Sequence, residues 1–112
     1  MPDPLPFDEL PHGRVAWRFE GRGRGTSVSF FITHGAPGTG PLLHRHPYEE
    51  VFIVEDGRVT FTVGAETVDA EGGHIVIVPA DTPHKFVNSG DDTLHMVSIH
   101  PVAEMVQEDL ED

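Results

Sequence analysis

The sequence predicts an all-β fold, a small barrel or sandwich, in one domain. Short segments that alternate apolar and polar residues recur along the chain, as at 14–20 and 58–63. Twelve glycines and ten prolines separate these segments at short intervals. A chain of 112 residues has room for a single hydrophobic core, and it shows no repeat of fixed period and no linker. We therefore expect one antiparallel β domain.

Charge and composition exclude several classes of protein. Nineteen acidic and seven basic residues give a formal net charge of −12, which opposes binding to nucleic acid and to anionic membranes. The lack of cysteine excludes a disulfide framework, a thiolate metal site and thiol catalysis. We see no signal peptide and no membrane-spanning run, so we expect a soluble, cytoplasmic protein. Eight histidines are the unusual feature, and they indicate metal or proton chemistry.

The N-terminal part predicts an extended lead-in followed by two strands. Residues 1–13 contain four prolines, which disfavour regular structure. The alternation at 14–20 predicts a half-buried strand, and the β-branched and aromatic run 26–33 predicts a second one. We expect the buried faces of these strands to carry Val15, Trp17 and Phe19, then Val28, Phe30 and Ile32, with His34 continuing the second set.

The C-terminal part predicts further strands and a final helix. Asp56-Gly57 favours a type I′ turn that joins two paired strands as a hairpin. Pro101 can begin a helix, and apolar residues then recur at helical spacing at Val102, Met105, Val106 and Leu110. We therefore expect the barrel to span 14–100 and a short acidic helix to span 101–112.

Residues 38–57 contain three candidate metal ligands on what reads as one strand. Side chains alternate along a strand, so His44, His46, Tyr48 and Glu50 share one face if the strand stays regular. A carboxylate inside a barrel is unfavourable by several kcal/mol unless it is paired or coordinated. Imidazole and carboxylate ligands without thiolate suit iron, manganese, nickel, copper or zinc.

The spacing of these residues resembles the two sequence motifs of the cupin superfamily. The first motif, G-x5-H-x-H-x3-E-x6-G, is matched by Gly38, His44, His46, Glu50 and Gly57. The second, G-x5-P-x-G-x2-H-x3-N, is matched by Gly73, Pro79, His84 and Asn88. Asp81 replaces the second glycine of that motif, and aspartate tolerates the left-handed conformation better than most residues do.

The resemblance implies a jelly-roll β-barrel, the double-stranded β-helix, with one divalent transition metal bound by His44, His46, Glu50 and His84. Four protein ligands on an octahedral ion leave two open positions, for a bidentate substrate or for substrate plus dioxygen. Three neutral imidazoles and one carboxylate leave a net charge of about +1, which favours an anionic or enolisable molecule. Resemblance to quercetinase-like dioxygenases would also make Glu50 a catalytic base. We expect a small-molecule ligand and a homodimer.

Other side chains are candidates for the substrate pocket. Alternation places Phe52 inward after Glu50 and Phe86 inward after His84. The candidates are therefore Phe30, His34, Phe52 and Phe86, although each phenylalanine could be plain barrel core and His34 a hydrogen-bonded residue at a strand end. His95 and His100 fall on opposite faces of one strand, so at most one faces the pocket, and His74 stays undecided.

Three functional classes fit these residues. The first is a metal-dependent, dioxygenase-like enzyme that acts on a small enolisable or phenolic compound. The second is a non-redox metal enzyme such as an isomerase or lyase. The third is a small-molecule binding protein without turnover. The fold alone does not choose between them.

Overall fold

The computed structural model describes residues 3–111 and contains two five-stranded antiparallel sheets, which confirms the predicted all-β class. A 3-10 helix at Phe7–Glu9 comes before the first strand. The strands are β1 (Ala16–Phe19), β2 (Ser29–Gly35), β3 (His44–Arg45), β4 (Glu50–Asp56), β5 (Arg58–Val63), β6 (Glu66–Glu71), β7 (Ile75–Val78), β8 (His84–Asn88), β9 (Leu94–His100) and β10 (Glu108–Asp109). The first sheet has the order β1-β2-β9-β4-β7, and the second has the order β10-β3-β8-β5-β6. Within residues 3–111, no helix is long and apolar enough to cross a membrane.

The hydrophobic core occupies the space between the two sheets. Strands β4, β5 and β9 supply most of it, because alternate residues of each strand point inward. The buried cluster consists of Phe52, Val54, Val59, Phe61, Ala70, Val78, Leu94 and Met96. Polar residues replace apolar ones where β4 begins, at Glu50, and where β9 ends, at Ser98 and His100. The interior is therefore apolar along one part and polar along the other.

The predicted hairpin at Asp56-Gly57 is wrong. Strand β4 pairs with β7 and β9, whereas β5 pairs with β6 and β8, so the two strands joined by Gly57 lie in different sheets. Gly57 has a φ of +100°, and an added Cβ would lie 3.2 Å from the Thr93 carbonyl oxygen. Gly57 is therefore a corner between sheets, which requires the same residue type as the expected turn.

The predicted C-terminal helix is also wrong. Residues 101–104 form bends, and β10 pairs with β3 instead. The Leu110 N–H donates to the Leu43 carbonyl at 2.8 Å, and Arg45 Nη2 lies 3.1 Å from Glu108 Oε1. Helical spacing alone does not stabilise a short helix, and Val106 and Leu110 are exposed rather than packed on the barrel. Asp112, the last residue of the expected helix, lies outside the described residues.

The predicted inner faces of β1 and β2 are reversed. Ala16, Ser29 and Thr33 are the buried residues, whereas Phe19 stacks on Phe30 at 4.6 Å on the outer face of the sheet. Alternation shows which residues of a strand share a face, but it identifies the buried face only when the other face is polar. In β1 and β2 both faces carry apolar residues, and the face with the larger side chains is the outer one. The lead-in packs on that face through Phe7 and Trp17, 5.4 Å apart, while Met1 and Pro2 lie outside the described residues.

Candidate metal centre

Four candidate ligands converge inside the barrel from different strands. His44 begins β3, Glu50 begins β4, His84 begins β8, and His46 follows the end of β3. One ligand atom from each of the four lies within 4.8 Å of the others, and all four residues are buried. The expectation of one regular strand through 44–50 is wrong, because the chain leaves β3 after Arg45 and enters the opposite sheet at Glu50. The ligands therefore meet by crossing between sheets, not by sharing one strand face.

A proline-bounded corner places His84 opposite His44. Asp81 in this corner has a φ of +60°, as expected for the residue that replaces a motif glycine. The Asp81 N–H donates to the His46 carbonyl at 2.8 Å, which connects the corner to the segment that carries His44 and His46. His44 and His84 are then paired across β3 and β8, with ring centroids 4.4 Å apart.

Asn88, the last residue of the second motif, has a structural role. Its side-chain amide donates to the Gly35 carbonyl at 2.9 Å and to the Asp92 carbonyl at 2.8 Å. Its carbonyl oxygen accepts from the Gly90 N–H at 2.9 Å. Each polar atom of this buried side chain therefore has a partner, and Asn88 fixes the loops around the end of β8.

Backbone carbonyls set the protonation of the three ligand histidines. Nδ1 lies 2.6 Å from the Leu42 carbonyl in His44, 2.7 Å from the Val106 carbonyl in His46 and 2.8 Å from the Thr82 carbonyl in His84. A carbonyl oxygen only accepts, so each ring carries a proton on Nδ1. In the neutral imidazole the lone pair is then on Nε2, which is the atom that faces the cluster. This arrangement is typical of metal-ligating histidine.

Glu50 lies among these Nε2 atoms. Its Oε1 lies 3.1 Å from His46 Nε2 and 3.0 Å from His84 Nε2, and its Oε2 lies 3.0 Å from His100 Nε2. Burial raises the pKa of Glu50, but the neighbouring histidines, His100 first, outweigh it and hold that pKa well below its ordinary value. Glu50 is therefore an ionised carboxylate inside the barrel.

The pKa values of His44 and His46 shift in opposite directions. Burial lowers the pKa of His44 below 6.5, and the His84 and His46 rings lower it further against the Leu42 carbonyl. Burial also lowers the pKa of His46, but Glu50 and the Val106 carbonyl outweigh it and raise the pKa above 6.5. In the metal-free protein, a protonated His46 would therefore balance the negative charge of Glu50.

The donor set fits a divalent transition ion. Nε2 of His46 and Nε2 of His100 are close to Glu50 but not aligned for hydrogen bonds, so within residues 3–111 both are buried without a hydrogen-bond partner. Two lone pairs and a carboxylate at about 3 Å repel one another unless a proton or a cation lies between them. Three imidazole nitrogens and one carboxylate oxygen form a set typical of first-row divalent metals.

His100 belongs to this cluster, which the sequence left undecided. It is fully buried, and its Nδ1 lies 2.7 Å from the Tyr48 hydroxyl. His95 lies on the outer face of the same strand, with its ring 4.5 Å from that of His34. His74 accepts a hydrogen bond from the Glu71 N–H at 3.0 Å, in the turn before β7. Alternation restricted the choice to one of His95 and His100, and the buried face of β9 selects His100.

A cavity of about 360 Å³ opens beside the candidate ligands. Of the expected pocket residues, Phe52 and Phe86 line it, as do His44 and Glu50. Phe30 and His34 do not, because both lie on the outer face of β2, with His34 exposed. Residues that the sequence analysis did not select include Ala16, Phe31, Thr33 and Ser98 on the walls, and Arg14, Arg18 and Gln107. The opposite choice of inner face for β1 and β2 would have predicted the cavity-wall residues Ala16, Phe31 and Thr33.

Comparisons with known proteins agree with this fold. The family model described as Cupin domain matches residues 31–100. An uncharacterized protein of Streptomyces coelicolor is 35% identical over 80 residues, which cover 71% of this chain and 74% of that protein. Among solved structures, a Klebsiella pneumoniae protein with a double-stranded β-helix domain has a TM-score of 0.75 and 21% identity, covering 96% of this chain and 91% of that one.

A larger protein contains the same fold. Bacillus subtilis oxalate decarboxylase, studied for its Mn(II) centres, has a TM-score of 0.81 and 20% identity, and the match covers 92% of this chain but 30% of that chain. The present chain therefore spans about a third of that protein, and the likeness concerns the fold. The two motifs, the two-sheet barrel and the family match over residues 31–100 together show that the chain belongs to the cupin family.

Proposed function

We propose that this chain is a metal-dependent enzyme, dioxygenase-like, that acts on a small anionic or enolisable organic molecule. The observation that carries the proposal is the common orientation of His44, His46 and His84. Nδ1 of each ring contacts a backbone carbonyl, and Nε2 of His46 and of His84 lies within 3.1 Å of Glu50 Oε1. A purely structural histidine cluster has no need of three rings with this same protonation.

The bound metal would be iron, manganese, nickel, copper or zinc, held by His44, His46, Glu50 and His84. A divalent ion at this position supplies Lewis acidity and open coordination positions beside the cavity. Carbonyl oxygens hold the Nδ1 atoms of the three histidines, so Nε2 of each neutral ring would be available to the ion. Burial of the four residues excludes water, which strengthens electrostatic interactions with a bound anion.

The cavity supports a small substrate that is partly aromatic or apolar. Its volume of about 360 Å³ is at the lower end of ligand pockets. Phe31, Phe52 and Phe86 supply apolar walls, and Thr33 and Ser98 supply hydroxyl groups. Arg14 and Arg18 are the cationic residues of the lining, and they attract an anionic group in a chain of net charge −12.

Glu50 is the proposed catalytic base. It lines the cavity as well as contacting the ligand histidines, so a substrate proton released there has an ionised carboxylate nearby. A carboxylate with a strongly lowered pKa is a weak base, and it accepts a proton more readily once it moves away from the histidines. Base catalysis would therefore depend on loosening of Glu50.

Metal analysis combined with substrate screening tests the proposal. Protein loaded with Fe²⁺, Mn²⁺, Ni²⁺, Cu²⁺ or Zn²⁺ would be incubated with β-dicarbonyl compounds and catechols while oxygen uptake is recorded. Oxygen consumption that requires the loaded metal supports the proposed enzyme. Proton exchange on carbonyl compounds without oxygen uptake would instead identify the non-redox enzyme, and tight binding without product would identify a binding protein.

We also propose that the protein is a homodimer joined through the outer face of the first sheet. This face carries apolar residues on adjacent strands, including Trp17, Phe30, Ile32, Val97 and Ile99, and ends in Ile75 and Ile77, each 64% exposed. Apolar contact at this face would offset the repulsion between two copies that each carry a net charge of −12. A flat apolar face can pack on its own copy about a two-fold axis.

A further inference from the structure

We propose that Arg18 binds a carboxylate group of the substrate, and that the substrate is a small aromatic or conjugated carboxylic acid whose opposite end binds the metal. This inference rests on the proposed function and names the substrate class of that same site. Arg18 is in β1, the edge strand of the first sheet, whereas Glu50 begins β4, three strands away in the same sheet. Both residues line the cavity of about 360 Å³.

Arg18 lies on the inner face of β1. Alternate residues of a strand share a face, and Ala16, two residues earlier, is buried toward the interior. Trp17 and Phe19 lie on the outer face of the sheet. The Arg18 side chain is 49% exposed, so it covers the edge of the cavity with its apolar stem and keeps its guanidinium in contact with water. It is therefore accessible to a ligand that enters the cavity.

A row of paired residues crosses the cavity wall from Arg18 toward β4. Arg18 is paired with Phe31 of β2. Ser98 of β9 is paired with Phe31 on one side and with Phe52 of β4 on the other, and all four residues line the cavity. Neighbouring strands lie about 4.8 Å apart, so the backbones of Arg18 and Phe52 are about 14 Å apart. Glu50 comes two residues before Phe52, so Arg18 and the candidate metal centre lie at opposite ends of this row.

This separation determines the kind of molecule that can contact both ends. A ligand bound to a metal beside Glu50 reaches Arg18 only if its anionic group is several bonds away from the atoms that bind the metal. The body between the two ends lies along Phe31 and Phe52, and the ring of Phe86 from the second sheet lies 6.0 Å from that of Phe52. Aromatic or conjugated groups pack well against such rings. The Ser98 hydroxyl, between the two phenylalanines of the row, offers a hydrogen bond to a polar substituent.

The Arg18 guanidinium is oriented by Glu20 but retains donors for a ligand. The closest contact of the pair joins Arg18 Nε to Glu20 Oε1 at 3.6 Å, which is longer than a hydrogen bond. The other Glu20 oxygen accepts from the Met105 N–H at 2.9 Å, so the backbone holds this carboxylate in place. Within residues 3–111, neither terminal nitrogen of Arg18 makes a hydrogen bond. These two nitrogens present the parallel N–H groups that bind a carboxylate in bidentate geometry.

Arg14, the other arginine of the cavity lining, has a different position. It lies in the bend at residues 14–15, before β1 and outside the row of paired residues. Arg14 adds positive charge to the lining, whereas the strand register fixes how far Arg18 lies from Glu50. Selectivity for the position of the carboxylate therefore depends on Arg18.

Ligand binding to Zn²⁺-loaded protein tests this assignment without turnover. Three catechols share one metal-binding end and differ at the other end. 3-(3,4-Dihydroxyphenyl)propionate carries a carboxylate, dopamine carries an ammonium group, and 4-methylcatechol carries no charge there. Calorimetry under nitrogen measures their affinities. We expect the wild type to bind the propionate about 10- to 100-fold more tightly than 4-methylcatechol, and Arg18→Gln to abolish this preference.

Reversing the charge at residue 18 provides a second test. Arg18→Glu is expected to bind dopamine more tightly than the propionate, which reverses the wild-type order. Arg58→Gln is the matched control, because Arg58 forms an exposed ion pair with Glu71 in the second sheet, and it should keep the wild-type order. Equal binding of the propionate and 4-methylcatechol by the wild type, or a preference that survives Arg18→Gln, would overturn the proposal. If none of the three catechols binds, the proposed function itself is contradicted, so the two failures are distinguishable.

Discussion

His84 Nε2 lies 3.0 Å from Glu50 Oε1, although 34 residues separate the two along the chain. The contact joins the first residue of β8 in one sheet to the first residue of β4 in the other. It closes the candidate site across the barrel interior. Loss of either side chain therefore affects ligands from both sheets.

Removing one ligand histidine is expected to abolish stoichiometric metal binding. His46→Ala or His84→Ala leaves two imidazoles and a carboxylate, with a buried gap in the donor set. Elemental analysis after loading and desalting measures the result. His95→Ala is the matched control, since His95 lies on the outer face and its removal should leave the metal content unchanged. Full metal content in both ligand variants means that the assignment of the site is wrong.

Metal binding is expected to weaken as the pH falls. The metal-free fold holds a proton on His46 more tightly than an ordinary imidazole does, because its pKa is raised above 6.5 by Glu50 and the Val106 carbonyl against burial. A metal must displace this proton, so competition begins above pH 6.5, and affinity falls by up to about tenfold per pH unit below the raised pKa.

The stability of the metal-free fold is expected to decrease as the pH rises. The raised pKa of His46 stabilises the metal-free fold fully below pH 6.5, and this contribution is lost as the pH rises through the raised value. The increase in Tm produced by metal should therefore grow between pH 5.5 and 8. Thermal unfolding with and without Zn²⁺ measures it, with His74→Gln, outside the site, as a control. An increment independent of pH contradicts the expected proton displacement.

Replacing Glu50 is expected to lower the pKa of His46. Burial alone lowers that pKa, and Glu50 is the main group that raises it. Glu50→Gln keeps the shape and removes the charge, so the His46 ring should titrate at lower pH than in the metal-free wild type. NMR titration of the imidazole nitrogens measures the shift. The account predicts little change for exposed His34, and an unchanged His46 would show that Glu50 does not control its proton.

Gly40 is expected to be essential because it lets the chain before His44 pack closely against the backbone of β8. An added Cβ there would lie 1.8 Å from the Phe86 carbonyl oxygen, so Gly40→Ala should displace backbone and destabilise the fold by about 1–3 kcal/mol or more. Gly13→Ala is the control, because its Cβ would have 4.0 Å to its nearest neighbour. Denaturant unfolding compares the two, and equal stability of both variants contradicts the close approach.

A charge on the outer face of the first sheet is expected to dissociate the proposed dimer. Ile77→Lys places an ammonium group where Ile77 is 64% exposed and paired with Val51. Val87→Lys, on the second sheet, is the control and should leave the dimer intact. Sedimentation over a range of concentrations measures both. A monomeric wild type, or a dimer insensitive to Ile77→Lys, rules out this interface.

The sequence predicted the fold and the four candidate ligands because both depend on local spacing. Glycines at fixed offsets specify corners, as at Gly57, and Asp81 adopts the left-handed conformation in place of a glycine. The motif spacing then gives His44, His46, Glu50 and His84 without knowledge of which sheet holds each. The prediction of one regular strand from His44 to Glu50 is wrong, yet the four residues converge as the motif spacing implies.

The remaining features depend on contacts between distant parts of the chain. His100 enters the site because β9 turns that face inward beside Glu50, and its sequence spacing alone does not distinguish it from His95. The faces of β1 and β2 were reversed because both carry apolar side chains. Residues near the C-terminus form β10 because they pair with the backbone of β3, and the spacing of apolar residues in the sequence does not reveal this pairing.

Metal stoichiometry of the wild-type protein tests the central claim most directly. The protein would be produced in medium supplemented with each candidate metal, desalted and measured by elemental analysis, then stripped with chelator and reloaded. The account predicts about one divalent transition ion per chain, removed by chelator and restored on reloading. A correctly folded protein that retains no transition metal under any of these conditions would contradict it.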